Sequence, residues 1–128
     1  MRSLQRNGAG YWDPTAYEVI KECDYKPIVY VCSPFRGDEA GNTVLARRYC
    51  RYVVNQGGIP LAPHLLFPQF MDDEEPSEQR LALRMNLILL DRCEELWIFG
   101  PKISEGMKLE IERAQQKNKK IRRFYTCN

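Results

Sequence analysis

The stretch ELWIFGPKISEGMKLEIERA, Glu95–Ala114, joins a strand to a helix through a short turn. ELWIFG, up to its closing Gly100, reads as a strand. Gly100 and Pro101 then break it. Beyond them Met107, Ile111 and Ala114 recur at the spacing of one helix face. Ser104 is placed to cap that helix, and Gly106 opens its first turn. A strand followed at once by an amphipathic helix is half of a βαβ unit, the building block of parallel sheets. One residue breaks the pattern. Glu110 falls on the apolar face, between Met107 and Ala114, in the second turn.

The same alternation runs through the chain from Pro27. PIVYVC, Pro27–Cys32, reads as a buried strand. The loop Ser33–Asn42 leads to a helix over about Thr43–Gln56, with Val44, Tyr49, Tyr52 and Val53 inward and Arg47, Arg48 and Arg51 outward. IPLAPH, Ile59–His64, is a short strand. A Pro- and acid-rich loop, Leu65–Pro76, follows, and Ser77 caps a helix from Glu78 to Asp91. KIRRFY, Lys120–Tyr125, is the last strand. Four strands separated by helices predict an α/β, three-layer sandwich of flavodoxin-like or Rossmann-like type. Its sheet would be mainly parallel, in the order 2-1-3-4. Ligands of such sheets bind at the carboxyl ends of the strands. The loops expected there are Ser33–Asn42, His64–Pro76 and Gly100–Gly106.

Residues 1–26 show no strong period and are read as an appendage to a domain spanning 27–128. A short helix is expected from Pro14, with Asp13 as its N-cap, and the aromatic residues Tyr11, Trp12 and Tyr17 suggest a docking segment. The helix 78–91 is apolar on two sides. One stripe is Leu81, Met85 and Ile88; the other is Leu83, Leu87 and Leu90. Burial of both requires a second cover. A homo-oligomer interface through this helix is the simplest expectation, with the N-terminal segment as the alternative.

Composition narrows the class. The chain has 128 residues, enough for one domain, with 44% hydrophobic and 28% charged residues and a net charge of +2. No apolar run reaches the roughly 18 residues of a membrane span, and the N-terminus has no apolar signal-peptide core. The five cysteines form no CxxC pair, so reduced thiols in a cytoplasmic protein are expected rather than disulfides or a zinc site. The acidic run Asp72–Glu75 and the basic run Lys117–Arg123 read as solvated faces, and no nucleic-acid partner is expected.

Several candidate groups converge on the ligand edge. Tyr30, inside the first strand, needs a partner for its hydroxyl. Ser33, Arg36 and the amides around Gly37 suit an anion such as phosphate. Ser104 and Gly106 mark a helix N-terminus open to a ligand. His64, the only histidine, ends the second strand.

On these residues the chain resembles the nucleoside 2-deoxyribosyltransferase family, including its branch of 2′-deoxynucleoside 5′-phosphate N-glycosidases. YVCSPFRGD is similar to the family's first strand and loop, roughly YxxxGxxRGG. SEGMKLE matches its nucleophile motif through Ser104, Gly106 and Glu110. The pattern SPxRGD…APHLLFPQF…ELWxFG…SxGM…E is also that of short deoxyribosyltransferase-like proteins of bacteria and their phages. The resemblance spans about Pro27–Tyr125. It implies cleavage or exchange of the N-glycosidic bond of a (deoxy)nucleoside or its 5′-monophosphate, without metal or cofactor. Glu110 would be the nucleophile and Tyr30 would hold its carboxylate. Ser33, Pro34, Phe35, Arg36, Gly37, His64, Ser104, Gly106 and Met107 would surround the substrate. There is a departure. Where the family carries an Asp on the preceding helix, this chain has Asn86. An amide hydrogen-bonds but donates no catalytic proton at neutral pH; Asp72 or Asp73 is the nearest substitute. The alternative is non-catalytic binding of a nucleotide or nucleotide-derived signal.

Overall fold

A computed structural model describes residues 14–21 and 25–126. The expected helix at Pro14 is present as α1, Pro14–Lys21. Its expected cap Asp13, and the aromatic residues Tyr11 and Trp12, lie outside the described residues, as does the side chain of Tyr17. The remaining elements follow in order: β1 Ile28–Cys32, α2 Glu39–Asn55, β2 Ile59–Leu61, α3 Pro76–Asp91, β3 Glu95–Phe99, α4 Glu105–Gln116 and β4 Lys120–Phe124. Two single 3₁₀ turns, Pro63–Leu65 and Phe67–Gln69, stand between β2 and α3.

All four strands are parallel, in the order β2-β1-β3-β4. This is the predicted flavodoxin-like arrangement. Tyr30 pairs with Leu61 on one side and Leu96 on the other, and Cys32 is in register with Ile98. The central strands β1 and β3 are buried after their first residue, as continuous apolar runs require. The edge strands β2 and β4 are only partly covered, and β4 presents Lys120 and Arg122 to solvent, which discourages edge-to-edge pairing.

Strand alternation sorts the core into two layers. Val29, Val31, Trp97 and Phe99 face α2, meeting Tyr49 and Val53. Tyr30, Cys32, Leu96 and Ile98 face α3 and α4, meeting Leu90, Met107 and Ala114. Burying a Leu or Phe side chain contributes roughly 1.5–3 kcal/mol, so these two layers dominate the fold's stability. At the outer ends of α3 and α4 the Arg113 guanidinium donates to both oxygens of Asp91, at 2.8 and 2.6 Å.

Local boundaries differ from the sequence reading where capping decides them. Helix α2 starts at Glu39, not near Thr43, because the Asp38 carboxylate accepts from Gly41 N at 3.1 Å. A β-carbon on Gly41 would lie 2.3 Å from that carboxylate, so a larger residue there would push the Asp38 side chain aside. The inner face of the helix also differs from the expected one. Ala46, Tyr49 and Val53 are buried, whereas Val44, expected inward, is 50% exposed. Helix α3 starts at Pro76, with Glu75 rather than Ser77 as its N-cap; Ser77 sits in the first turn and donates its backbone N–H to the Glu75 carboxylate. Proline is well suited to the first helical position, which fixes the boundary. Strand β2 ends at Leu61, and His64 lies in the following 3₁₀ turn rather than at the strand end. The two stripes of α3 separate cleanly. Leu87 and Leu90 pack in the core with α4, while Leu81 and Ile88 are exposed.

Candidate functional site

Strand order reverses between β1 and β3, and the loops leaving their carboxyl ends diverge there. A cavity of ≈ 530 Å³ opens at this edge. Its lining includes Ser33, Phe35 and Arg36 from the loop after β1, His64 from the 3₁₀ turn, Asn86 from α3, and Ser104, Gly106, Met107 and Glu110 from the start of α4.

Glu110 is the centre of the site. Its side chain is 2% exposed, so the helical spacing does turn it inward. Tyr30, on the strand beneath, donates its hydroxyl to Glu110 Oε2 at 2.7 Å. The Cys32 thiol lies near enough to favour the charged form, yet Glu110 Oε1 has no hydrogen-bond partner. Burial pushes the carboxyl up to about 7, against the opposing pull of Tyr30 and Cys32. Burial and the Glu110 charge together hold the Tyr30 hydroxyl well above its usual range, so it remains a donor. Burial, then Glu110, does the same to the Cys32 thiol.

Unsatisfied polar atoms cluster here. Buried donors and acceptors are normally paired, and each exception asks for an explanation. Ser33 Oγ, Asn86 Oδ1, Asp73 Oδ2 and Glu110 Oε1 are buried without a partner, and all four residues line the same cavity. A ligand bearing hydroxyl or amide donors would satisfy them.

The walls are more specific still. The His64 ring stacks on Phe35 with centroids 5.1 Å apart and planes 18° apart. His64 Nε2 lies 3.1 Å from the Ser33 carbonyl oxygen. A carbonyl only accepts, so Nε2 carries the proton. Burial lowers the His64 pKa, more than the Ser33 bond raises it, so the ring is neutral and Nδ1 is a bare acceptor. Ser104 Oγ accepts from Met107 N at 3.2 Å, the cap that its position predicts. A β-carbon on Gly106 would meet no atom within 4 Å, so the first turn of α4 borders open space. Arg36 donates to the Asp73 carbonyl at 2.9 Å and ties the β1 loop to the acidic segment before α3.

Two residues expected at the substrate do not line the cavity: Pro34 and Gly37. Gly37 instead takes φ +104, a left-handed turn that directs the chain into the α2 cap. Tyr30 also lies outside the lining and reaches it only through Glu110. The sequence reading missed an upper wall: Phe67, Met71, Gln79, Leu83 and Leu109. The aromatic residue in FPQF was the available signal for that wall. The segment expected as an irregular loop there is folded into 3₁₀ turns and braced by side chains, with Glu78 Oε1 accepting from Asp72 N at 3.1 Å.

Among the described residues, no three His, Cys, Asp or Glu side chains are grouped as a metal-ion site would require, and no helix is long and apolar enough to cross a membrane. Cys32, Cys50 and Cys93 are free thiols.

Fold and cavity together define a flavodoxin-like α/β protein with a carboxylate-floored pocket at the switch point of its sheet. Residues 27–124 match the family described as Domain of unknown function (DUF7768), and the chain belongs to it. No curated protein matches the sequence.

Proposed function

We propose that the cavity binds a nucleoside or its 5′-monophosphate and breaks or exchanges its N-glycosidic bond, with Glu110 as the nucleophile. One observation carries this reading: a buried carboxylate on the cavity floor, one oxygen held by Tyr30 and the other unpartnered. The resemblance of SEGMKLE and YVCSPFRGD to the nucleoside 2-deoxyribosyltransferases and the related N-glycosidases supports it.

In this reading Glu110 Oε1 attacks the anomeric carbon as the bond to the base nitrogen breaks, and the base leaves with the bonding electrons. Charge develops on the sugar as an oxocarbenium ion, which the ionised carboxylate stabilises. The glycosyl–Glu110 ester is then opened from the same face by water or a second base, so configuration is retained. Tyr30 keeps Oε2 in place through both steps. Ser33 Oγ takes up a sugar hydroxyl, Asn86 Oδ1 faces the base, and the stacked Phe35–His64 pair with Phe67 forms an apolar wall for that planar base.

Base release from a panel of nucleosides and deoxynucleoside 5′-monophosphates tests the proposal, repeated with Glu110→Ala and Glu110→Gln. Release by the wild type that is lost in both variants supports it; release that survives Glu110→Gln sinks it. Asn86, where the resembling family has an acid, favours a second reading, a binder without turnover. That reading expects tight binding, no base release and no loss of affinity in Glu110→Gln.

A further inference from the structure

A neutral base is a poor leaving group. Unless it is protonated as the bond breaks, it must depart as an anion, and a positioned acid typically contributes 10²–10⁴-fold to such steps. Neither Asn86 nor His64 supplies such an acid. Asn86 is an amide. His64 is neutral, and its one N–H is given to the Ser33 carbonyl. The side chains acting on Glu110 itself are the Tyr30 hydroxyl and the Cys32 thiol, both held well above their usual ranges and so poor acids. Two of the rim carboxylates are engaged elsewhere. Glu105 pairs with Lys108 at 3.0 Å, and Glu78 accepts from Asp72 N. The Asp73 carboxylate sits beside Glu39 of α2, whose carboxyl is raised by desolvation and then by that neighbour.

The charge of the cavity points the same way. Its lining carries two guanidinium groups, Arg36 and Arg80, against four carboxyl groups, Asp73, Glu78, Glu105 and Glu110. Arg36 is already bonded to the Asp73 carbonyl. With Glu105 paired to Lys108, the remaining carboxyl groups outnumber the guanidinium groups by three to two when Glu110 is ionised, a balance that favours a cation over an anion. Phe35, Phe67 and Met71 supply aromatic faces and a polarisable thioether against which a flat cation is attracted.

We propose, resting on the nucleophilic reading of Glu110, that the substrate is an N-glycoside whose base is already positively charged, such as a pyridinium or N-alkylpurinium nucleoside. No acid is then needed. Glu110 Oε1 bonds to the anomeric carbon, the C–N bond breaks, and its electron pair neutralises the ring nitrogen, so the base leaves as a neutral molecule. Water then bonds to the anomeric carbon, the ester bond to Oε1 breaks, and the water's proton is released to solvent. The sum is cationic glycoside plus water giving free sugar, neutral base and one proton.

The test compares 7-methylguanosine with guanosine, and nicotinamide riboside with uridine, using the full chain. Each kcat/KM is divided by the uncatalysed hydrolysis rate of the same compound, which removes the intrinsic lability of the cationic glycosides. The expected result is a normalised preference for the cationic member of roughly 100-fold or more, the contribution of the acid that the neutral member lacks. Asn86→Asp restores an acid and should raise guanosine cleavage, collapsing the ratio; Asn86→Ser, which supplies none, should leave the ratio high. A ratio near one in the wild type, with cleavage lost in Glu110→Gln, overturns this inference and leaves Glu110 as nucleophile. Cleavage of none of the four compounds overturns both.

Discussion

The Tyr30 hydroxyl donates to Glu110 Oε2 at 2.7 Å across 80 residues of chain, and both side chains are buried. The bond joins the central strand β1 to the second turn of α4 directly beneath the cavity, so it positions the carboxylate and tunes it together.

Glu110 should cost stability where it is charged. Its folded pKa of about 7 lies above the ordinary glutamate value of 4.5. The folded state therefore holds the proton more tightly than the unfolded chain. That contribution is fully present below about pH 4.5 and is lost as pH rises through about 7. A difference of two to three pKa units corresponds to about 3 kcal/mol. Glu110→Gln should accordingly be more stable than the wild type at pH 8 by about that amount, with the gain nearly gone at pH 4.5. Urea denaturation at the two pH values measures it; an equal effect at both would contradict the assignment.

Removal of the Tyr30 hydroxyl should move the carboxylate's titration upward. The bond from Tyr30 lowers the Glu110 pKa. In Tyr30→Phe the acid form is favoured further, and Oε2 loses its partner at a cost of about 1–3 kcal/mol when ionised. If Glu110 acts as an anion, base release rises with pH through about 7 in the wild type. In Tyr30→Phe that rise should begin at higher pH. A pH–rate profile unchanged by the variant would separate Tyr30 from the chemistry.

Gly106 offers a test that divides ligand from fold. A β-carbon there meets no protein atom, and the position lies in the first turn of α4 on the cavity wall. Gly106→Ala should leave the fold as stable or more so, by up to about 1 kcal/mol from helix propensity. The added methyl occupies space open to a ligand, so KM for the cleaved nucleoside should rise while the melting temperature does not fall.

Self-association through α3 is expected from its two apolar stripes, and the structure tells which side to change. Leu87 packs in the core, whereas Ile88 is 52% exposed. Ile88→Glu should convert an oligomer to monomers in sedimentation while the monomer keeps its fold by circular dichroism. Leu87→Glu should instead unfold or strongly destabilise the protein, because it places a charge in the layer between α3 and the sheet. A monomeric wild type would rule out the interface.

Much of this architecture was legible in the sequence because its strongest signals are local. PIVYVC and ELWIF are long enough and apolar enough to be central parallel strands whatever surrounds them. Strands alternating with helices left few orders for the sheet, and the predicted one is found. Glu110 was visible too, since helical periodicity alone turns it toward Met107 and Ala114. Other features depended on competition between neighbours. Whether Asp38 or a later residue caps α2 was settled by the space that Gly41 leaves for a carboxylate, and Val44 is exposed because it lies about 140° around the helix from Tyr49. Which stripe of α3 is buried was settled by packing against α4 and the sheet, because both stripes are apolar throughout. The pairing of Tyr30 with Glu110, the Phe35–His64 stack and the gathering of four unpartnered polar atoms at one cavity join residues far apart in the chain. Periodicity reports which way a side chain points along its own element, and only the docking of elements determines what it meets there.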